Sequence, residues 1–244
     1  VLLFAEEPGG LLAAHQSRAD IRIFHYRGNR IEPGAVPNLL KPPRTIAGPM
    51  SVQIARANAH VLDALAAGLT LAESGFKTVH RYPERVIKEA ITNAVIHRDY
   101  RLNRDILIRI FDNRIEILSP GLFPGTITPA NISRAGSFAR NPLIARNLRE
   151  FPEPPNVDAG EGVRMMFSEM RAANLYPPFF SEDRDSVQPA VMVTLRNEER
   201  PPIWEQVSDW IDRHGALVNS DLRRIAGVDT LKASKLLIGW REQG

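Results

Sequence analysis

Residues Val86–Tyr100 read VIKEAITNAVIHRDY. Their spacing predicts a helix, and that helix decides how the rest of the chain is read. Glu89, Asn93 and His97 stand four residues apart, so their side chains form one polar stripe. Ile87, Ala90, Ile91, Ala94 and Val95 form an apolar stripe beside it. A carboxylate and a carboxamide one turn apart, at the edge of a buried face, suit a hard cation and a water. Asn93 offers a neutral oxygen to a Mg²⁺-type ion, and Glu89 can accept a proton from water. Tyr82-Pro83 opens the helix, Pro being tolerated in a first turn.

Downstream, Asp105–Phe111 and Arg114–Leu118 read as two strands joined at Asp112-Asn113, a hairpin signal. SPGLFPGTITP follows as a loop, Arg140–Phe151 as an amphipathic helix and PEPPNVDAGEG as a long flexible loop. Gly162–Leu175 is a further helix and Pro189–Asn197 a closing strand. Upstream, Ser51 to about Ala67 is a helix with Val52, Ile54, Ala55, Ala59, Val61, Leu62 and Leu65 on its apolar side. Residues 31–50 are Pro-rich and read as irregular. Residues 1–30 are β-rich: VLLFA, then Ile21, Ile23 and His25 alternating with Arg22, Phe24 and Tyr26. The order predicts an α+β fold, helices layered on a mixed sheet.

After Asn197 a charged, Pro-containing hinge leads to three short helices: Ile203–His214, Ser220–Ala226 and Thr230–Trp240. Asn219 or Ser220 can cap the second and Thr230 the third. Gly227 lies where a helix-turn-helix needs a tight turn.

Bulk properties bound the function. The 244 residues allow one or two domains with a real core. Cysteine is absent, which excludes disulfides and thiolate metal sites and fits a reducing, cytoplasmic location. No apolar run is long enough to span a membrane. The first ten residues are too short and too acidic for a signal peptide. The pI is about 9.4, with 26 Arg against five Lys. That composition suits phosphate contacts and equally fits an Arg-biased genome. Ser74-Gly75-Phe76-Lys77-Thr78 does not meet G-x-x-x-x-G-K-[ST], so the residues give no basis for a helicase motor.

EAITNAVIHRDY, then ILSPGLFP, ARNPLIARNL and GEGVRMM, resembles the motif series of the divergent histidine-kinase-type (GHKL-like) ATPase domain. That domain occurs in RecG-like proteins and predicted transcriptional regulators. The resemblance covers about residues 70–197. Residues 1–50 are similar to the end of a Schlafen-type, AlbA-like DNA-binding domain. Residues 198–244 are similar to the start of a winged helix, interrupted before its β wing. The domain expectation is therefore 1–50, a connecting helix over 51–70, an ATPase-type domain over 71–197 and a winged-helix segment over 198–244. Both ends look cut from a longer protein.

The resemblance implies ATP and Mg²⁺ as ligands. It makes Glu89 the candidate base, Asn93 the metal ligand, and Gly160 and Gly162 the phosphate cradle, a Gly-rich loop entering a helix being a natural anion site. His97 either touches phosphate or is a satisfied, semi-buried histidine, and Arg164 either contacts phosphate or is a surface charge. Arg140 and Asn141 either reach a phosphate or cap their helix. Arg98 and Asp99 are read as fixing the end of the first helix. One departure stands out. The superfamily places an adenine-binding Asp after the hairpin, and this chain has Ser119-Pro120-Gly121 there. Asp112 sits at the opposite, turn end.

In the last segment Lys232, Ser234, Lys235 and Arg241 would line a recognition helix, with Arg223 and Arg224 at the DNA backbone. Three readings follow: a DNA-binding transcriptional regulator that couples a ligand or homodimer state to DNA; an active Mg-dependent ATPase; or a nucleotide-free dimerisation and protein-binding domain.

Overall fold

The computed structural model describes residues 3, 5, 18–34, 37–72, 75–80, 82–136, 138–151, 161–185, 187–199 and 203–243. The chain forms two compact units, Val1–Glu198 and Glu199–Gly244.

In the first unit, alternation of Ile with polar residues builds a six-stranded mixed sheet. Its strands are β1 (Ile21–His25), β2 (Arg44–Ile46), β5 (Ile106–Ile110), β6 (Arg114–Pro120), β7 (Phe179–Asp183) and β8 (Ala190–Arg196), in the order β2-β1-β5-β6-β8-β7. Among the described strands, β1 and β5 alone pair in parallel. Register sets Ile23, Ile108, Ile117, Val193 and Phe180 in one row across five strands. Ile108 and Ile117 in that row are fully buried. The alternate residues are more polar: Arg109 and Arg114 both pair with Glu116, at 3.6 and 2.7 Å. One face of the sheet thus enters the core, and the other is half-buried, with Glu116 paired to both arginines.

The helices α1 (Met50–Ala64), α2 (Glu84–His97), α3 (Pro142–Arg149) and α4 (Gly162–Ala172) supply the second layer. The helix α2 packs against α1, α4 and β6. Its apolar stripe is as expected, with Ile87, Ala90, Ile91 and Val95 all buried. This is the α+β class expected from the sequence.

Several local expectations change. The strands β1 and β2 do not stand apart: β1 is hydrogen-bonded to β5, so residues before 50 share the main sheet. The segment read as irregular contains β2. The helix α1 stops at Ala64, and β3 (Ala66–Ala72) and β4 (Gly75–His80) follow as a separate two-stranded hairpin. Ala55 and Ala59, assigned to the apolar side of α1, are exposed; Gln53 and Ala57 are buried in their place. Strand β6 runs two residues further than expected, placing Ser119 and Pro120 in the sheet and not in a loop. The strand β7 lies where the sequence predicts no element. The loop read over 152–160 and most of the strand read over Val1–Ala5 lie outside the described residues.

The second unit holds α5 (Ile203–His214), α6 (Asn219–Ala226) and α7 (Thr230–Gln243), closed around Val207, Leu222, Ala226 and Ala233. Gly227 adopts φ +63° in the turn between α6 and α7. The caps differ from expectation. Asp221 accepts from the Val218 N–H at 3.3 Å, and Asp229, not Thr230, accepts from the Lys232 N–H at 2.8 Å. Asn219 instead reaches across to Ser234 Oγ at 2.8 Å, which ties α6 to α7. No described helix is long and apolar enough to cross a membrane.

Candidate functional site

A cavity of about 400 Å³ opens between α2, the sheet and the start of α4. The polar stripe of α2 forms one wall, with Glu89, Asn93 and His97 all lining it. Gly162 and Arg164 line it from α4. The floor comes from the sheet: Ile117 and Ser119 on β6, Phe180 on β7, Val191 and Val193 on β8. Sequence reasoning found the α2 wall and the α4 entry. It missed the floor, which strands distant in sequence assemble.

The α2 wall is internally bonded. Asn93 Nδ2 donates to Glu89 Oε1 at 2.8 Å. The Glu89 carboxylate in turn lies against the first residue of α4. A Cβ built on Gly162 would fall 1.8 Å from Glu89 Oε1 and 2.5 Å from its Cδ, so only glycine fits without moving that carboxylate. Glu89, Asn93 and the N-terminus of α4 therefore converge. Gly160 lies outside the described residues. Arg164 is exposed and donates to the Arg134 carbonyl at 3.3 Å.

Arg140 and Asn141 bond away from their own helix. They are not among the cavity-lining residues, and Asn141 makes no side-chain cap on its own helix. They serve the far end of α2. An α-helix leaves its last four carbonyls without partners, and here each receives a different side chain. Ser119 Oγ donates to Ala94 O at 2.7 Å and the Tyr100 hydroxyl to Val95 O at 2.8 Å. Asn141 Nδ2 donates to Ile96 O at 2.7 Å, and Arg140 Nε to His97 O at 3.0 Å. The HRDY, SPG and RNP motifs meet around one helix terminus.

The following turn is fixed in the same way. Arg98, 1 % exposed, donates through Nη2 to the carbonyls of Arg18, Leu102 and Arg104. Burial pushes its guanidinium down from the usual Arg range, and Tyr100, Asp105, Asp20 and Asp99 oppose that. Asp99 accepts from the Arg101 side chain at 2.7 and 2.9 Å and from the Arg101 N–H at 3.0 Å. The Arg101 side-chain hydrogen bonds lead in holding the Asp99 carboxyl down at about 2. Gly121, at φ +108°, lets the SPG turn approach; a Cβ there would meet Asp99 Cβ at 2.8 Å. Arg98 and Asp99 thus fix the helix end, as read from sequence, but through separate partners.

The residue types suit Mg²⁺ only in part. Among the described residues no three His, Asp or Glu converge on a metal position. Asn93 and Glu89 offer one or two protein oxygens, the usual share for Mg²⁺ that completes its shell with phosphate and water. The cavity volume falls within the range of small-molecule sites, with an apolar floor and a polar wall.

On the second unit, Arg223, Lys232, Lys235 and Arg241 are exposed. Two expected contacts are engaged internally. Ser234 accepts from Asn219, and Arg224 lies 4.6 Å over the Trp210 ring and 3.4 Å from Asp221.

Comparison with known proteins adds a family and a fold. Residues 103–192 match the family model described as "Putative ATP-dependent DNA helicase recG C-terminal". The match identifies that stretch as part of a RecG-related, ATPase-like domain. It spans less than half of the chain and begins after α2, so Glu89 and Asn93 lie upstream of it. No curated protein matches. Among solved structures, the DIP2311 protein from Corynebacterium diphtheriae is similar in fold, with a TM-score of 0.58 at 21% identity. The alignment covers 91% of this chain and 46% of that one, so this chain spans under half its length.

Proposed function

We propose that the first unit is a Mg²⁺-dependent nucleotide-binding domain that regulates DNA binding by the second. The observation that carries the nucleotide reading is the convergence of Glu89, Asn93 and the glycine-led start of α4 in one cavity. Asn93 and Glu89 would hold the cation, and the α4 N–H groups beside Gly162 and Arg164 would hold phosphate. The apolar floor takes the base. The RecG-related match over 103–192 supports this assignment. Calorimetry with Mg-ATP and a non-hydrolysable analogue tests it: saturable binding of both is expected, and heat of dilution alone would reject it.

DNA binding rests on the helix-turn-helix arrangement of α6 and α7 and on the exposed Arg223, Lys232, Lys235 and Arg241. Arg224 and Ser234, held by neighbours, contribute less. A homodimer would give such a unit two half-sites. Gel shifts on duplex DNA should show binding that weakens steeply with salt; no shift at low salt sinks this half of the proposal.

The seating of Glu89 favours a second reading, an active ATPase. Its carboxylate lies against the first residue of α4, and a base there would activate water beside a phosphate held by that helix. Glu89→Ala should then abolish hydrolysis while sparing Mg-ATP binding.

A further inference from the structure

The face of the sheet opposite the core carries a side-chain pattern of its own. Register sets Phe24, Arg109, Glu116, Thr194 and Phe179 in one row across five strands. Arg22, Leu107, Leu118, Met192 and Ser181 form the next row. Side chains alternate along a strand, so both rows lie opposite Ile108 and Ile117. Thr194 is buried; the others reach solvent, and Phe179 is 61 % exposed. Beyond Glu116 and Thr194, Arg114 stands directly across from Arg196. Like charges so placed work against a sheet. Two guanidinium groups already lie over rings, Arg22 at 5.1 Å from Phe24 and Arg196 at 5.7 Å from Tyr176. On these rows four arginines stand against one carboxylate, Glu116, which Arg109 and Arg114 share. The chain's net charge of +3 also resides in the first unit, because Glu199–Gly244 holds seven Lys and Arg against seven Asp and Glu.

We propose that this face, on the opposite side of the sheet from the cavity floor, binds single-stranded nucleic acid. Guanidinium groups pair with phosphates, and unpaired bases stack on aromatic rings and on arginine planes. Leu107, Leu118 and Met192 add an apolar strip between the arginines. A phosphate seated between Arg114 and Arg196 offsets their repulsion. Phe24 and Phe179 end their row four strand spacings apart, about 19 Å, the length of about five stacked nucleotides. Duplex DNA does not suit the surface: its major groove admits a helix or a two-stranded ribbon, not the face of a six-stranded sheet.

Fluorescence anisotropy of the intact chain with a labelled oligothymidylate of about 20 nucleotides tests this. Binding that weakens steeply with salt is expected. Phe179→Ala should weaken it at least about fivefold, the loss of one stacked base. Arg196→Ala should lower the salt slope by about one phosphate contact. Both side chains are exposed, so circular dichroism should show the fold unchanged. Unlabelled duplex of the same length should compete poorly. No binding at low salt overturns the proposal. Binding that neither substitution alters, or that duplex displaces as well as single strand does, overturns it equally.

Discussion

The Glu89 carboxylate occupies the space into which a side chain at Gly162 would grow, 1.8 Å from where its Cβ would lie. The two residues are 73 positions apart in sequence, and neither is interpretable without the other. Gly162→Ala should leave the fold intact, because the atom in the way is the tip of a flexible side chain and alanine favours the helix by about 0.5–1 kcal/mol over glycine. The displaced Glu89 should lose its alignment. We expect thermal stability within about 1 kcal/mol of the parent. Any ATP hydrolysis should fall about a hundredfold, the usual penalty for a misplacement of about 1 Å. A Gly162→Ala chain with undiminished hydrolysis would refute the assignment of Glu89.

Asn141 supplies two hydrogen bonds to the end of α2, to Ile96 O at 2.7 Å and Arg98 O at 2.8 Å. Asn141→Ala removes both donors from half-buried carbonyls and should cost about 1–3 kcal/mol in denaturant unfolding. Asn141→Asp should cost at least as much, since an ionised carboxylate has no proton to donate. An Asp variant as stable as the parent would contradict the cap. So would a full loss of stability confined to conditions where nucleotide is present.

Arg98 closes the turn that follows. With one nitrogen donating to three carbonyls at 1 % exposure, its replacement by Met leaves all three without that donor. The expected loss is about 3 kcal/mol or more, among the large single-site effects. Arg98→Lys should recover part of it, lacking the planar fork. A stability change below about 1 kcal/mol in Arg98→Met would show the contacts to be incidental.

Asp99 makes this region acid-sensitive. Its carboxyl is held at about 2 in the fold, below its unfolded value, chiefly by Arg101. A depressed value means that the stabilisation is fully present above the unfolded value, near pH 4. It is lost as pH falls toward 2. Arg101 is 84 % exposed, so solvent and salt screen the pair and the contribution is modest. Asp99→Asn should flatten the stability profile between about pH 4 and 2 and leave its neutral-side slope unchanged. An identical acid limb in the variant would assign that limb to other carboxylates.

Elements whose pattern is local follow from the amino-acid order alone. The 3.6-residue rhythm of α2, the β5–β6 hairpin and the helices α4 to α7 are set by side-chain period, and the structure has them within a few residues. The order also sets the stripe of Glu89, Asn93 and His97, because residues four apart on a helix face the same way. What lies outside local reach depends on long-range packing. The strand β7, FFSED, follows two prolines and is an edge strand, so its charged residues mask the period. The β3–β4 hairpin follows α1 with scarcely a break, and AAGLTLA carries no turn signal. Ser119 read as loop and proved to be strand, because its pairing with Val191 comes from a segment 72 residues away. Arg140 and Asn141 read as ligands or caps of their own helix. Their partners are the last carbonyls of α2, and which carbonyls lack a donor is known only once the helix has ended and its neighbours have packed. Periodicity fixes which face a residue takes, while long-range pairing fixes what that face meets.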